Sequence, residues 1–428
     1  VRCQFQKVRL FYGLPTSSQL GASVRVVSKE LTGEIAPLLE RLPANPITFL
    51  RHGEGIVGIG EHARLTATGA NRFAELSAAW LALVAEAEVT DEVNLPGSGL
   101  LAFGAIAFAD SSSSESTLIV PRVVLGHRDG RNWTTTIDDA SLEDFNADAA
   151  PQPADTPSLA EPLAPGHLTR GGFKQAVASA LEAIAAERVE KVVLARDQVA
   201  PLADDFDIRN PLIALAETYP SCWVYSVDGL FGASPELLVR VSHKQVSARV
   251  LAGTAARGTD KGVDHAIGQA LATSHKNVAE HRFAVDSMVR SLEPFCEHVD
   301  ADESPFSLAL PNVWHLASDV HGVLSSNSTV LDLAAAIHPT AAVAGTPRAN
   351  AIELIAELEP FDRGRYAGPV GWIGADGDGE WAIALRGAQL EGSNIRAFAG
   401  CGIVSESEPD SEAAETDLKF KPITDALG

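Results

Sequence analysis

Basic residues are scarce in this chain. Its 428 residues hold 33 Lys and Arg against 56 Asp and Glu, a formal net charge of −23 at pH 7. No basic stripe offsets that excess, which argues against nucleic-acid binding. Long-range attraction cannot draw in an anionic ligand either, and screening beyond about 8 Å weakens the distant field. A metal ion, Lys or Arg must therefore hold such a ligand locally. Cysteine is also sparse: Cys3, Cys222, Cys296 and Cys401 are scattered, with no CxxC or Cys/His grouping. Reduced thiols and a cytoplasmic location are expected, with no disulfide framework and no zinc site. Apolar runs such as Ala78–Ala85 fall far short of a membrane span. No basic segment followed by an apolar stretch and cleavage site opens the chain, so secretion is not expected.

A hydrophobic content of 46% and a charged content of 21% are those of a globular protein with a large core. Pro151–Gly166 holds five prolines and loses periodicity, so it reads as a connection between residues 1–150 and 167–428. Before it lie candidate strands at Gly55–Gly60, Leu100–Ala109 and Ser116–Leu125, a helix from Asn71 to about Ala87, and a surface hairpin tip at Ser111–Ser114. After it, a helix over Gly172–Ala186 leads into the strand Val192–Ala195. Short strands and helices then alternate without regular βαβ spacing, which points to an α+β fold.

The stretch Ala399–Lys419, AGCGIVSESEPDSEAAETDLK, reads as a glycine-flanked strand, an acidic turn and a helix opening at Pro409. At about 100° per residue, Glu412, Glu415 and Lys419 share one helix face. Two carboxylates and an ammonium beside bare backbone suit a hard cation and an anionic ligand. A solvated face with a Glu415–Lys419 pair is the plainer alternative. KVVLARD (Lys191–Asp197) starts an apolar strand with a lysine. Lys191 reads either as a snorkelling strand end or as a desolvated amine able to act as a general base. FGASPELLVRV (Phe231–Val241) delivers Glu236 through a proline turn just before a strand, a common place for a functional acid.

LAGTAARG (Leu251–Gly258) reads as a small-residue turn, with Gly253 and the Thr254 hydroxyl able to cradle a carboxylate. It matches neither the P-loop nor the dinucleotide fingerprint. On the helix of Lys276–Leu292, Val278, Val285, Val289 and Leu292 form the apolar stripe, leaving Asn277 and Glu280 on another face. Glu280 and Glu415 are acids on separate helices, as a Mg²⁺ site with one or two carboxylates would have them. His281 reads as a packing residue. His315, in VWHLASDV, reads as a core histidine, retained as a candidate beside the ligand. WAIALRGA (Trp381–Ala388) places Arg386 on an apolar strand, where a buried guanidinium needs an anionic partner.

Taken together, KVVLAR, ASPELL, LAGT, the K-x-x-x-E-H run at Lys276–His281, HPTAAVAG, ELEPFDRGRYAGPVGW, LRGA and AGCGIV…ETDLK resemble, in this order, the chorismate-binding enzymes. That group contains isochorismate, salicylate, anthranilate and aminodeoxychorismate synthases. The resemblance covers about residues 167–425, and the first 150 residues are similar only loosely. ELEPFDR and VWHLASDV look most like the isochorismate synthases of menaquinone or siderophore pathways.

The resemblance implies one large α+β domain of two packed antiparallel sheets with helices outside. It implies Mg²⁺ on Glu280 and Glu415, with Glu412 and Asn277 reaching it through water. Lys191 would be the base that activates water for attack at C2 of chorismate, and Glu236 the acid that protonates the departing C4 hydroxyl. Gly253, Thr254, Ala342, Gly400 and Lys419 would line the ligand. Arg386, with Tyr366 near, would grip the enolpyruvyl carboxylate. Ammonia-using members of the family generally lack a lysine at the position of Lys191, so water is the expected nucleophile. A monomer with no glutamine amidotransferase partner follows. Asn277 replaces a glutamate often found in salicylate and anthranilate synthases, which favours isochorismate as product and leaves salicylate as the alternative.

Overall fold

The extended run from Ser116 breaks at Pro121, which has no N–H to give to a ladder. Two strands result, Ser116–Val120 and Val123–Arg128, and they belong to different sheets. The single strand expected over Ser116–Leu125 is therefore a corner between sheets. The computed structural model describes residues 24–33, 36–141, 158–258, 260–309 and 313–428, leaving out the side chains of Thr254, Ala256, Lys276, Glu280 and Val313. Cys3 and residues 151–157 of the proline-rich connection lie outside the described residues. The rest of that connection is tied down: Leu159 bridges to Leu202, and Ala164–Pro165 pairs with Lys191–Pro201.

The expected α+β class holds, with two antiparallel-rich sheets and helices. The described residues divide into two units. The first comprises Val1–Glu236, Pro339–Ala375 and Ala382–Gly428. It holds a 13-stranded sheet in which Lys191–Pro201, Asn394–Ile403, Gly387–Glu391, Leu230–Ser234 and Trp223–Val227 lie side by side, all antiparallel. Helices Arg209–Thr218 and Pro409–Leu427 cover one face, burying Leu212, Leu215, Phe420, Ile423 and Leu427 against Phe231, Ala388, Ala397 and Ala399. In the same unit the strands Pro369–Gly374, Leu101–Ala105, Ser116–Val120 and Ala63–Ala67 of the second sheet pair in that order. The two sheets meet closely where Gly58 leaves room: a Cβ there would come within 2.9 Å of the Phe103 ring. Helix Arg72–Ala85 buries Leu76 and Trp80, close to the expected limits.

The second unit comprises Leu237–His338 and Asp376–Trp381. Its strands run in the order Cys296–Ala301, Val313–Leu324, Gln245–Ala256 and Leu237–Ser242. Helix His275–Leu292 packs on Gln245–Ala256 and Val313–Leu324. The Ser274 hydroxyl caps its start by accepting from the Asn277 N–H, which satisfies one of the four orphan donors.

Candidate active site

Lys191 begins an 11-residue strand, Lys191–Pro201, whose next six residues are all buried. Along one edge this strand pairs with Asn394–Ile403, setting Val193 opposite Gly402 and Ala195 opposite Gly400. Along the other edge, between the short paired strands Gly345–Thr346 and Ala164–Pro165, a pair of charged side chains fills the gap. Glu359 accepts the Ala195 N–H at 2.7 Å, and Arg363 donates to the Val193 carbonyl at 2.7 Å. Arg363 also donates to the Val343 carbonyl at 2.9 Å and to Glu359 at 2.5 and 2.8 Å. Burial works against the Arg363 charge, but Glu359 outweighs it and holds the guanidinium pKa above its usual value. One buried ion pair thus fastens both the strand of Lys191 and the turn that carries Ala342.

The C-terminal helix Pro409–Leu427 starts with proline in its first turn and runs 19 residues. Its register is fixed from the strand below: Arg196 donates to the Thr416 hydroxyl at 2.7 Å and pairs with Asp417. Ala413, Thr416 and Phe420 face inward, which leaves Glu412, Glu415 and Lys419 together on a half-buried face. Lys419 donates to the Gly400 carbonyl at 2.9 Å and pairs with Glu415 at 2.6 Å. The expected i,i+4 pair is therefore present, with its ammonium reaching the glycine strand. Cys401, buried between the two glycines, donates to the Glu412 carbonyl at 3.6 Å.

Glu236 lies just before the strand Leu237–Ser242, and its carbonyl accepts the Ile383 N–H at 3.0 Å. Desolvation dominates its carboxyl and pushes the pKa above the usual 4.5, against the pull of Lys191, Arg386 and Lys419. Three basic side chains thus converge on one half-buried acid in a chain of net charge −23. Burial lowers the Arg386 pKa, opposed by Tyr366, Glu415, Glu236 and Cys222. Tyr366 is 7% exposed and stacks on Phe398 at 4.9 Å between centroids. Burial pushes its phenol up to about 12, so it stays a neutral donor.

Arg386 is not on a strand. The run expected to be continuous is two strands, Gly379–Ile383 and Gly387–Glu391, joined by a bend in which Arg386 has φ 51°. A non-glycine residue in the left-handed region is uncommon and persists where the surrounding contacts hold it there. In this bend the arginine escapes the alternation of the sheet.

In the second unit, LAGT is not a turn but part of the strand Gln245–Ala256. Its small residues make a bulge where the pairing with Val313–Leu324 shifts between Ala252 and Thr254. Gly253 sits there at φ 76°, and a Cβ on it would lie 3.4 Å from that of Asn277. Thr254 stands opposite His315 in the ladder, and His315 is half-buried. One turn beyond Asn277, buried His281 bonds the Ala252 carbonyl at 3.1 Å and the Ser318 hydroxyl at 2.9 Å, a packing role as expected. Glu280 lies on this helix; its side chain and that of Thr254 lie outside the described residues. Among the described residues no group of three or more His, Cys, Asp or Glu forms a metal-ligand set.

Within the first unit the structure brings Lys191, Glu236, Tyr366, Arg386, Gly400, Glu412, Glu415 and Lys419 into one neighbourhood. Ala342 adjoins it, half-buried in the turn that Arg363 holds. Gly253, Asn277, Glu280 and His315 are grouped within the second. The supporting pair Glu359 and Arg363 was not singled out from sequence. Its signal was present as ELEPFDR, where acid and base stand four residues apart.

Residues 47–428 match the family model for chorismate binding enzymes. A Mycobacterium tuberculosis protein whose name, isochorismate synthase MenF, is itself provisional is 39% identical over 347 residues, covering 78% of this chain and 87% of its own. The isochorismate synthase EntC of Escherichia coli K12 is 38% identical over 261 residues, covering 60% and 67%. The solved structure of MenF, the menaquinone-specific isochorismate synthase of Escherichia coli, matches with a TM-score of 0.74 at 25% identity over 95% of each chain. With 382 contiguous positions spanned by the family model (47 through 428), the chain belongs to the chorismate-binding enzymes.

Proposed function

We propose that the protein is an isochorismate synthase, adding water at C2 of chorismate with loss of the C4 hydroxyl. The observation that carries this reading is the grouping of Lys191, Arg386 and Lys419 around Glu236, whose carboxyl burial keeps protonated to higher pH than usual. Lys191 takes a proton from the attacking water as its oxygen bonds to C2. The ring double bond shifts, the C4–oxygen bond breaks, and Glu236 gives its proton to the departing hydroxyl. One water enters and one leaves, so the reaction is an isomerisation. A base and an acid with pKa values tuned apart are what this exchange needs. Arg386 holds the enolpyruvyl carboxylate, with the Tyr366 hydroxyl beside it, while Lys419, Gly400 and Ala342 line the ligand.

The carboxylates of Glu412 and Glu415 are hard oxygen donors on one half-buried face, and Glu415 already holds one cation at 2.6 Å. That donor chemistry fits Mg²⁺. Glu415 would hold the ion, with Glu412 reaching it through water, and when bound it would neutralise the ring carboxylate. A lysine at position 191 favours water over ammonia, so no amidotransferase partner is needed and a monomer suffices. Scattered free thiols suit the cytoplasm. The test is chromatography of the product formed from chorismate and Mg²⁺. Isochorismate supports the reading, whereas anthranilate formed with ammonium, or no turnover, contradicts it.

A further inference from the structure

Three neighbouring strands of the large sheet place Tyr225, Gly232 and Gly387 in one row: Tyr225 is opposite Gly232, and Gly232 opposite Gly387. The ring of Tyr225 lies across the two glycines. A Cβ on Gly232 would fall 2.6 Å from its hydroxyl, and one on Gly387 would fall 2.5 Å from it. Any other residue at either position would close the path. The hydroxyl emerges at the start of the third strand and donates to the Leu385 carbonyl at 3.0 Å. Leu385 precedes Arg386, the residue held at φ 51°. The Arg386 carbonyl is fixed in turn by the Ala233 N–H at 3.2 Å, so both peptide groups flanking the arginine are anchored.

We infer that Tyr225 is a positioning residue, holding Arg386 in its left-handed bend through the Leu385 carbonyl so that the guanidinium meets the substrate carboxylate already oriented. Tyr225 itself is 0% exposed, so it acts through the Leu385 carbonyl. The inference rests on the role given above to Arg386. Tyr225 remains a neutral donor, because burial raises its pKa and Tyr366 adds to that rise. Preorganising a carboxylate-gripping arginine strengthens ground-state and transition-state binding alike, which moves KM more than kcat.

Tyr225→Phe removes one oxygen and keeps the buried ring, so the fold is retained. With chorismate as substrate, KM is expected to rise about two- to tenfold, the range for one hydrogen bond, with kcat changed far less. In an Arg386→Ala background the same substitution should add nothing, because both act on one interaction. An unchanged KM in Tyr225→Phe, or an equal rise in both backgrounds, overturns the inference. Arg386→Ala with an unchanged KM would instead remove the assignment of Arg386 itself, so the two failures are distinct.

Discussion

The side chain of Lys191 occupies the space above Gly402: a Cβ added there would lie 2.8 Å from the lysine Cε and 3.5 Å from Nζ. The glycine gives the lysine its place beside Glu236. Gly402→Ala should therefore displace a flexible side chain and spare the backbone. Turnover is expected to fall at least tenfold, while the thermal midpoint stays within a few degrees of wild type. Lys191→Ala should lose turnover yet still bind chorismate by calorimetry, since the lysine serves chemistry and Arg386 and Lys419 anchor the ligand. Wild-type turnover in Lys191→Ala would leave the residue a mere strand end.

Glu236 carries a pH prediction whose sign follows from its raised pKa. In the folded state it binds a proton more tightly than in the unfolded chain, so stability is full below the usual 4.5 and declines as pH rises through the folded value. Glu236→Gln should remove that decline, making the variant gain on wild type in thermal midpoint as pH climbs above 4.5. Its turnover should drop by roughly 10²–10⁴, the usual contribution of one acid. A midpoint difference that does not vary with pH would contradict the raised carboxyl pKa of half-buried Glu236.

The pair Glu359 and Arg363 is almost wholly buried, with side chains 1% and 3% exposed. Glu359→Ala would strand the guanidinium and free the Ala195 N–H, a loss of about 3–5 kcal/mol by the usual cost of breaking a buried pair. Urea unfolding measures it. A cost below about 1 kcal/mol would mean that the strand of Lys191 is held by its ladder alone.

Much of the site was legible in the sequence because it sits on local patterns. The 3.6-residue period put Glu412, Glu415 and Lys419 on one face, and the apolar run after Lys191 forms the buried strand it suggests. What escaped reading depends on contacts far apart in the chain. LAGT looks like a turn by composition, yet pairing with Val313–Leu324 makes it a bulged strand. WAIALRGA looks continuous, but the bend at Arg386 is pinned by Tyr225, 161 residues earlier by numbering (386 minus 225). The serines at 111–114 do lie in the connection between the paired strands Leu101–Ala105 and Ser116–Val120, with Ser111 and Ser113 exposed, but Ser112 is buried and donates to Asp362 at 2.9 Å.

Metal dependence follows from the proposed ligands. EDTA should abolish turnover and Mg²⁺ restore it, and Glu415→Gln should mimic chelation. Direct Mg²⁺ titration in the presence of chorismate provides a readout independent of rate. Full activity in metal-free buffer would remove the ion from the account.

The central claim is that water addition at C2 ends the reaction. Purified protein is incubated with Mg²⁺ and chorismate, and separately with isochorismate, at neutral to mildly alkaline pH. Products are resolved by chromatography, and pyruvate is followed with lactate dehydrogenase. The account predicts the same chorismate–isochorismate mixture from either side, with no pyruvate. Stoichiometric pyruvate together with fluorescent salicylate would contradict it.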